Sequence, residues 1–247
     1  MTTTYLALAV VLAFFILIIV FTAILRGRPD SRNLRALPAF ARLGRAVGLA
    51  VEAGNRLHLS LGSGDLVGPQ GAVAYVGLSV LRRVSRATSI SDKPPVATSG
   101  EGAVAILSQD TMRSTSGEMG VAFDPMSGRM TGLTPFSYAA GAMSVIHDED
   151  VGANVLIGNF AVEVALINEA AERAHSLTLA GTDNVPGQAV LYATAQETLI
   201  GEETFAGGAY LGAGLTHIAS LRVQDIFRWV LIGVISAGAL LKLVGVL

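Results

Sequence analysis

The feature that most constrains this chain is a run of twenty-one residues, Tyr5 to Leu25, with no charged side chain. A helix rises about 1.5 Å per residue, so about twenty apolar residues cross a hydrocarbon core of about 30 Å. A second apolar run, Ile226 to Leu247, is interrupted only by Arg228 and Lys242. The roughly two hundred residues between them hold most of the charge, enough chain for one full hydrophobic core. The pattern predicts a membrane helix over residues 4–26, a basic amphipathic membrane-proximal helix over 31–54, a cytoplasmic α/β domain over 56–219, and a second membrane helix over 222–247.

Charge placement sets an expected orientation. Arg26, Arg28, Arg32 and Arg35 follow the first run, and no side-chain charge precedes it. The positive-inside rule then puts the N-terminus outside and the central domain in the cytoplasm, as in the inner membrane of a prokaryote. The leading end lacks the basic n-region of a secretory signal and the apolar stretch is long, so it reads as an uncleaved anchor. Residues 26–93 hold eleven Lys or Arg against four acids, whereas residues 101–225 hold four against fifteen. The basic excess adjoins the membrane run, which suits lipid headgroups and topology rather than nucleic acid. The lipid bilayer is the expected partner. With no cysteine in the chain, disulfides, thiolate metal sites and thiol catalysis are excluded.

Between anchor and core, Leu34, Leu37, Phe40, Leu43 and Val47 recur every three or four residues, with Arg35, Arg42 and Arg45 between them. This stripe suits a helix lying in the headgroup region or one packed on the domain. Short apolar segments then alternate with helical periodicity. Strands are predicted at 57–61, 96–98, 154–157 and 177–180, with a weaker one at 130–133. Helices are predicted at 70–86, 101–116, 135–146 and 162–174, after Pro186, and over 197–210. The alternation argues for βαβ units. The expected fold is an open, mainly parallel Rossmann-like sheet with helices on both faces, flanked by the two membrane helices.

In such a sheet ligands bind outside the carboxyl ends of the strands. The residues expected there are Gly62, Ser63, Gly64, Thr98, Ser99, Gly158, Asn159, Thr182 and Asp183, which offer amides, hydroxyls and one carboxylate to a nucleotide or small acid. The same residue types also cap helices and form turns. The string Gly62 to Gly68 has the form GxGxxxG, a variant of a dinucleotide-binding loop, but Ser99 and Gly100 stand where the confirming acid would end the second strand. His147 to Asp150 read as a solvated turn. Glu163 reads as a helix N-terminal acid that could also serve as a general base. No protease, hydrolase or P-loop motif is present, so no catalytic residue, metal ligand or cofactor is identified and the reading leans away from an enzyme.

The strings SDKPPVATSGEGAVAILSQDTMR (91–113), GLTPFSYAAGAM (132–143), QAVLYATAQETLIGEETFAGGAYLGAG (188–214) and ASLRVQDIFRW (219–229) resemble an uncharacterised family of bacterial membrane proteins with one transmembrane helix at each end. The resemblance spans nearly the whole chain and implies the architecture, not an activity. Three functions compete, the least favoured being a transporter or channel subunit whose pore would have to come from oligomerisation. One is a membrane-anchored structural or assembly protein acting as a homo-oligomer, with Gly233 and Ala237 in the second span and Gly207 and Gly208 in the domain as candidate contact faces. Another is a membrane-tethered sensor or enzyme that binds a small molecule at the strand ends.

Overall fold

The computed structural model describes residues 2–27, 34–68, 70–89, 91–212 and 214–245. Arg28, Arg32, the start of the predicted 31–54 helix and the last two residues of the second apolar run lie outside them. The chain divides into two compact units, one holding the terminal helices and the other spanning Ala36–Leu211.

The terminal unit contains α1 (Thr2–Gly27) and the last helix, α9 (Leu215–Leu243). Both are long and apolar enough to cross a membrane. They pack on each other, with the Phe14 and Phe227 rings 5.6 Å apart. Their outward side chains, Leu12, Ile19, Ile235 and Leu240 among them, are exposed and have no polar partner to satisfy, which suits lipid as the surrounding medium. Helix α9 begins at Leu215, well before the predicted apolar run.

The central unit opens with α2 (Pro38–Glu52), then β1 (Arg56–Gly62), α3 (Ala72–Ala87), β2 (Val96–Ser99) and α4 (Gly102–Met119). It continues with β3 (Gly128–Met130), α5 (Pro135–Asp148), β4 (Val151–Asn159), α6 (Val164–Arg173), β5 (Leu177–Gly181), α7 (Val185–Thr194) and β6 (Glu197–Leu199), and closes with α8 (Gly207–Tyr210). The six strands form one sheet in the order β3-β2-β1-β4-β5-β6, and every pair is parallel. This order, reversing between β1 and β4, is that of the doubly wound dinucleotide-binding fold.

Alternation along the strands builds two cores. Leu57, Leu59, Leu61, Ala97, Val155, Ile157 and Leu179 face α2, α3 and α4. Leu156 and Ala180 face the other way, onto α5, α6 and α7, against Tyr138, Phe160 and Ile167. The apolar stripe of α2 joins the first core: Phe40, Leu43, Ala46 and Ala50 are buried, and the Phe40 ring stacks on Tyr210 at 5.0 Å. Each large side chain so buried contributes about 1.5–3 kcal/mol. Helix α2 therefore spends its apolar face on the sheet, leaving Arg42, Arg45 and Leu49 outward.

Three expectations need correction. The predicted helix over 197–210 is instead strand β6, a 3-10 turn at Gly201–Ala206 and the short α8. Strand β6 exists because Thr198 pairs with Ala180 and Leu199 with Gly181. The strand predicted at 130–133 is β3, shifted to Gly128–Met130, where it pairs with Ala97 to Ser99. Gly207 and Gly208 are also buried within the domain: a side chain at Gly207 would press on Val80 and Val76, so these glycines serve internal packing.

Candidate functional site

The carboxyl edge of the sheet is where the fold concentrates the predicted site. At the reversal between β1 and β4, Gly62 pairs with Asn159, and β4 carries one residue more than β1 between that pair and Ser60–Leu156. This bulge puts Gly158 directly against the Leu61 carbonyl, where a Cβ has no room. Gly62 has φ +78°, and a Cβ there would strike the Asn159 backbone. Gly64 lies over the Asn159 side chain at a separation that only glycine permits.

The strand ends are stitched together by backbone. The Ser63 N–H donates to the Asn159 carbonyl at 3.1 Å, and Gly100 N–H to the Gly62 carbonyl at 2.9 Å. Thr131 N–H donates to the Ser99 carbonyl, whose own side-chain hydroxyl donates to the Glu101 carbonyl. Asn159 Nδ2 then bridges two loops, donating to Asp183 Oδ1 at 2.9 Å and to Gln70 Oε1 at 3.1 Å. Thr182 is buried and spans the β4 and β5 ends, accepting from Phe160 N–H and donating to the Phe160 carbonyl.

The structure thus brings Gly62, Ser63, Gly64, Gly158, Asn159, Thr182 and Asp183 to one crevice. Ser99 ends the neighbouring strand. Thr98 is not on the rim: it lies inside β2, fully buried, and its hydroxyl meets His58 Nε2 at 2.8 Å. The β1–α3 loop also departs from the dinucleotide fingerprint. There the glycine pattern opens the helix itself; here α3 starts at Ala72, beyond Gly68, and Gly71 is pressed against the Leu66 carbonyl.

Most helix N-termini at this edge are closed by their own side chains. Glu101 accepts from Val104 N–H, Thr134 forms a capping box with Ser137, and Asn184 accepts from Gly187 N–H. Glu163, 2 % exposed, accepts from Ala161 N–H at 2.9 Å, which makes it a turn-closing acid rather than a general base facing a pocket. The charged residues of the strand-to-helix loops at this edge, Asp65, Glu101, Glu163 and Asp183, are all acids. That field opposes a phosphate or carboxylate ligand.

Sequence reasoning missed what else these loops carry. The β1–α3 loop exposes Val67 at 93 %, the β3–α5 loop Leu133 at 77 %, and the start of α7 Val185 at 75 %. Phe136, Val162 and Ile200 are exposed in the first turns or loops after β3, β4 and β6, and Ile106 is exposed at the start of the second turn of α4, after β2. Each strand is therefore followed by a large apolar side chain in solvent. Each looks ordinary alone in the sequence, and only the parallel topology collects them on one edge.

Beneath this edge lies a buried polar chain. Tyr138 is fully buried, its hydroxyl bonded to Ser60 Oγ and accepting from Gly62 N–H at 3.2 Å. Burial pushes this phenol up, partly offset by its bonds to Ser60 and Thr98. In the next layer, His58 is bonded on both ring nitrogens, to Asn154 and Thr98. Burial lowers its pKa from 6.5 to about 4, against the Asn154 hydrogen bond and with help from the Arg129 charge. Among the described residues no cluster of His, Asp or Glu is arranged to hold a metal.

A parallel α/β domain whose chain carries two apolar helices, with a self-capped and apolar-fringed carboxyl edge, defines the class. Over residues 2–247 the sequence matches the family described as a domain of unknown function, DUF6754, and the chain belongs to that family. No curated protein and no solved structure matches it.

Proposed function

We propose that this protein is a membrane-anchored assembly protein that works as a homo-oligomer, with α1 and α9 in the bilayer and the α/β domain on the cytoplasmic side of a prokaryotic inner membrane. The single observation that carries this reading is the fringe of exposed apolar side chains, Val67, Leu133, Phe136, Val162 and Val185, around the carboxyl edge. Apolar side chains gathered on one rim mark an interaction surface. The partner is a second copy. The charged residues of the rim loops are all acids, whereas Arg83 stands exposed on α3, so the domain offers complementary charges to itself. Two membrane helices per chain also confine copies to one plane and one orientation, which raises their effective concentration and favours a closed ring.

The test is the mass of the full-length protein in nanodiscs, by light scattering and native mass spectrometry. The wild type is expected above monomer mass, and Leu133→Asp with Phe136→Asp at monomer mass with unchanged melting. A monodisperse wild-type monomer at micromolar concentration would sink the proposal. Loss of liposome adhesion by the double variant, with no change of mass, would make the rim a membrane contact instead. A second reading, a tethered sensor, draws on Asn159, which holds Gln70 and Asp183 at the strand-order reversal where such sheets take ligands.

A further inference from the structure

At the opposite edge of the sheet, the chain leaves α6 through Ala174 and His175, and His175 is in the left-handed conformation, φ +53°. The conformation has a local cause. His175 N–H donates to the Glu172 carbonyl at 3.0 Å and Ser176 N–H to the Ala171 carbonyl at 2.9 Å, closing the helix. Glycine is the low-strain occupant of such a position, and an L side chain there costs about 1–2 kcal/mol. The chain instead carries an exposed imidazole, which stands at a pocket of about 420 Å³.

The pocket's apolar walls are Ala46, Leu49 and Ala50 of α2 and Leu177 of β5. Gly152 and Asn55 complete the lining, packed so closely that a side chain at Gly152 would press on Asn55. The polar lip is cationic. Arg42 is held by Glu197, but Arg45 is exposed and pairs with no acid among the described residues. Arg45, His175 and the Asn55 amide are N–H donors above an apolar floor. An anionic head would meet the lip and an alkyl stem the walls.

We propose that this pocket binds an anionic amphiphile, a phosphate- or carboxylate-headed molecule bearing an alkyl chain, supplied by acidic membrane lipid. The lipid source rests on the membrane reading above, since α2 (Pro38–Glu52) is the next described helix after the first apolar helix, Thr2–Gly27. The head-and-stem chemistry does not rest on it, nor on self-association.

The experiment uses the full-length protein in a neutral maltoside, titrated with monomeric dihexanoyl phosphatidate, dihexanoyl phosphatidylcholine and inorganic phosphate. Phosphatidate is expected to bind, with the other two at least about tenfold weaker. Arg45→Ala and His175→Gly should each lose about tenfold, the scale of one charge-assisted or well-placed hydrogen bond. His175→Gly relieves the left-handed strain, so it should melt no lower than the wild type, and its loss of binding cannot be ascribed to unfolding. Unchanged binding in either variant overturns the proposal, as does equal binding of the choline lipid or of inorganic phosphate. A photoreactive phosphatidate in nanodiscs decides the source. Labelling of α2 that disappears in Arg45→Ala supports lipid. No labelling there, while monomeric phosphatidate binds, overturns the lipid source and leaves a free amphiphile as the ligand.

Discussion

His58 donates its Nδ1–H to Asn154 Oδ1 at 2.8 Å across the β1–β4 pair, in the middle of the sheet. The direction is fixed by the neighbours. Asn154 Nδ2 is spent on Ser176 Oγ at 2.7 Å, so its oxygen faces the imidazole, and Nε2 is left to accept from the Thr98 hydroxyl. The ring is neutral and satisfied on both nitrogens, the least costly way to bury a histidine.

A pH dependence follows. The folded pKa is about 4, below the unfolded value of 6.5, so the unfolded chain binds more protons between these values. Stability from this group is fully present above pH 6.5 and is lost as pH falls toward 4. The span amounts to about 3 kcal/mol. His58→Gln, which retains a donor and an acceptor, should remove this component. Unfolding of the full-length protein in detergent from pH 7 to 4 should show a steeper decline for the wild type than for the variant. Parallel declines would contradict the burial argument.

Glycine substitutions separate close packing from mere flexibility. At Gly158 a Cβ meets the Leu61 carbonyl, a backbone atom that cannot move aside without opening the β1–β4 pair. Gly158→Ala should cost at least about 2–3 kcal/mol. Gly117 lies in α4 with open space around it, and Gly117→Ala should stabilise by about 0.5–1 kcal/mol. Melting midpoints of the two variants in one detergent check both signs.

The sheet's parallel nature was legible because β1, β2, β4 and β5 are short apolar runs ending in Gly, Ser or Asn. What escaped the sequence was what pairing decides. Glu197 to Leu199 consists of residues that also suit a helix, and only β5 draws them into a strand. Thr98 looked like a rim residue because β2 is buried throughout, so alternation gave no hint of its direction. The register that sets His58 beside Asn154 and Val96 is non-local, so the buried histidine could not be placed from the sequence. The glycines of the β1 loop were legible as a variant dinucleotide-binding pattern at a strand end, and their close approach to β4 was not. Their partner, Asn159, was legible as a strand end but not as the residue they approach.

Tyr138 offers a test of the layer beneath the crevice. Its hydroxyl is the acceptor for Gly62 N–H and the partner of Ser60, all fully or nearly fully buried. Tyr138→Phe keeps the ring against Phe160 but leaves an amide and a hydroxyl without their partner, costing about 1–3 kcal/mol. Ser60→Ala in the Tyr138→Phe background should restore part of that loss, because both sides of the Ser60–Tyr138 bond are then apolar. Additive losses in the double variant would mean that the two hydroxyls are not coupled.

The orientation of the chain can be read with single cysteines, since the native sequence has none. The arginines that follow Leu25 are expected to stay on the cytoplasmic side, which puts Thr3 outside and the α/β domain inside. Met126 is 65 % exposed on the turn before β3, so a cysteine there reports the compartment of the domain without disturbing a core. On intact cells an impermeant maleimide should label Thr3→Cys and leave Met126→Cys unlabelled, and permeabilisation should bring Met126→Cys up to the same level. Labelling of Met126→Cys alone on intact cells would reverse the topology. Labelling of both on intact cells would mean that one apolar helix does not cross, and would remove the common membrane face on which the proposed ring depends.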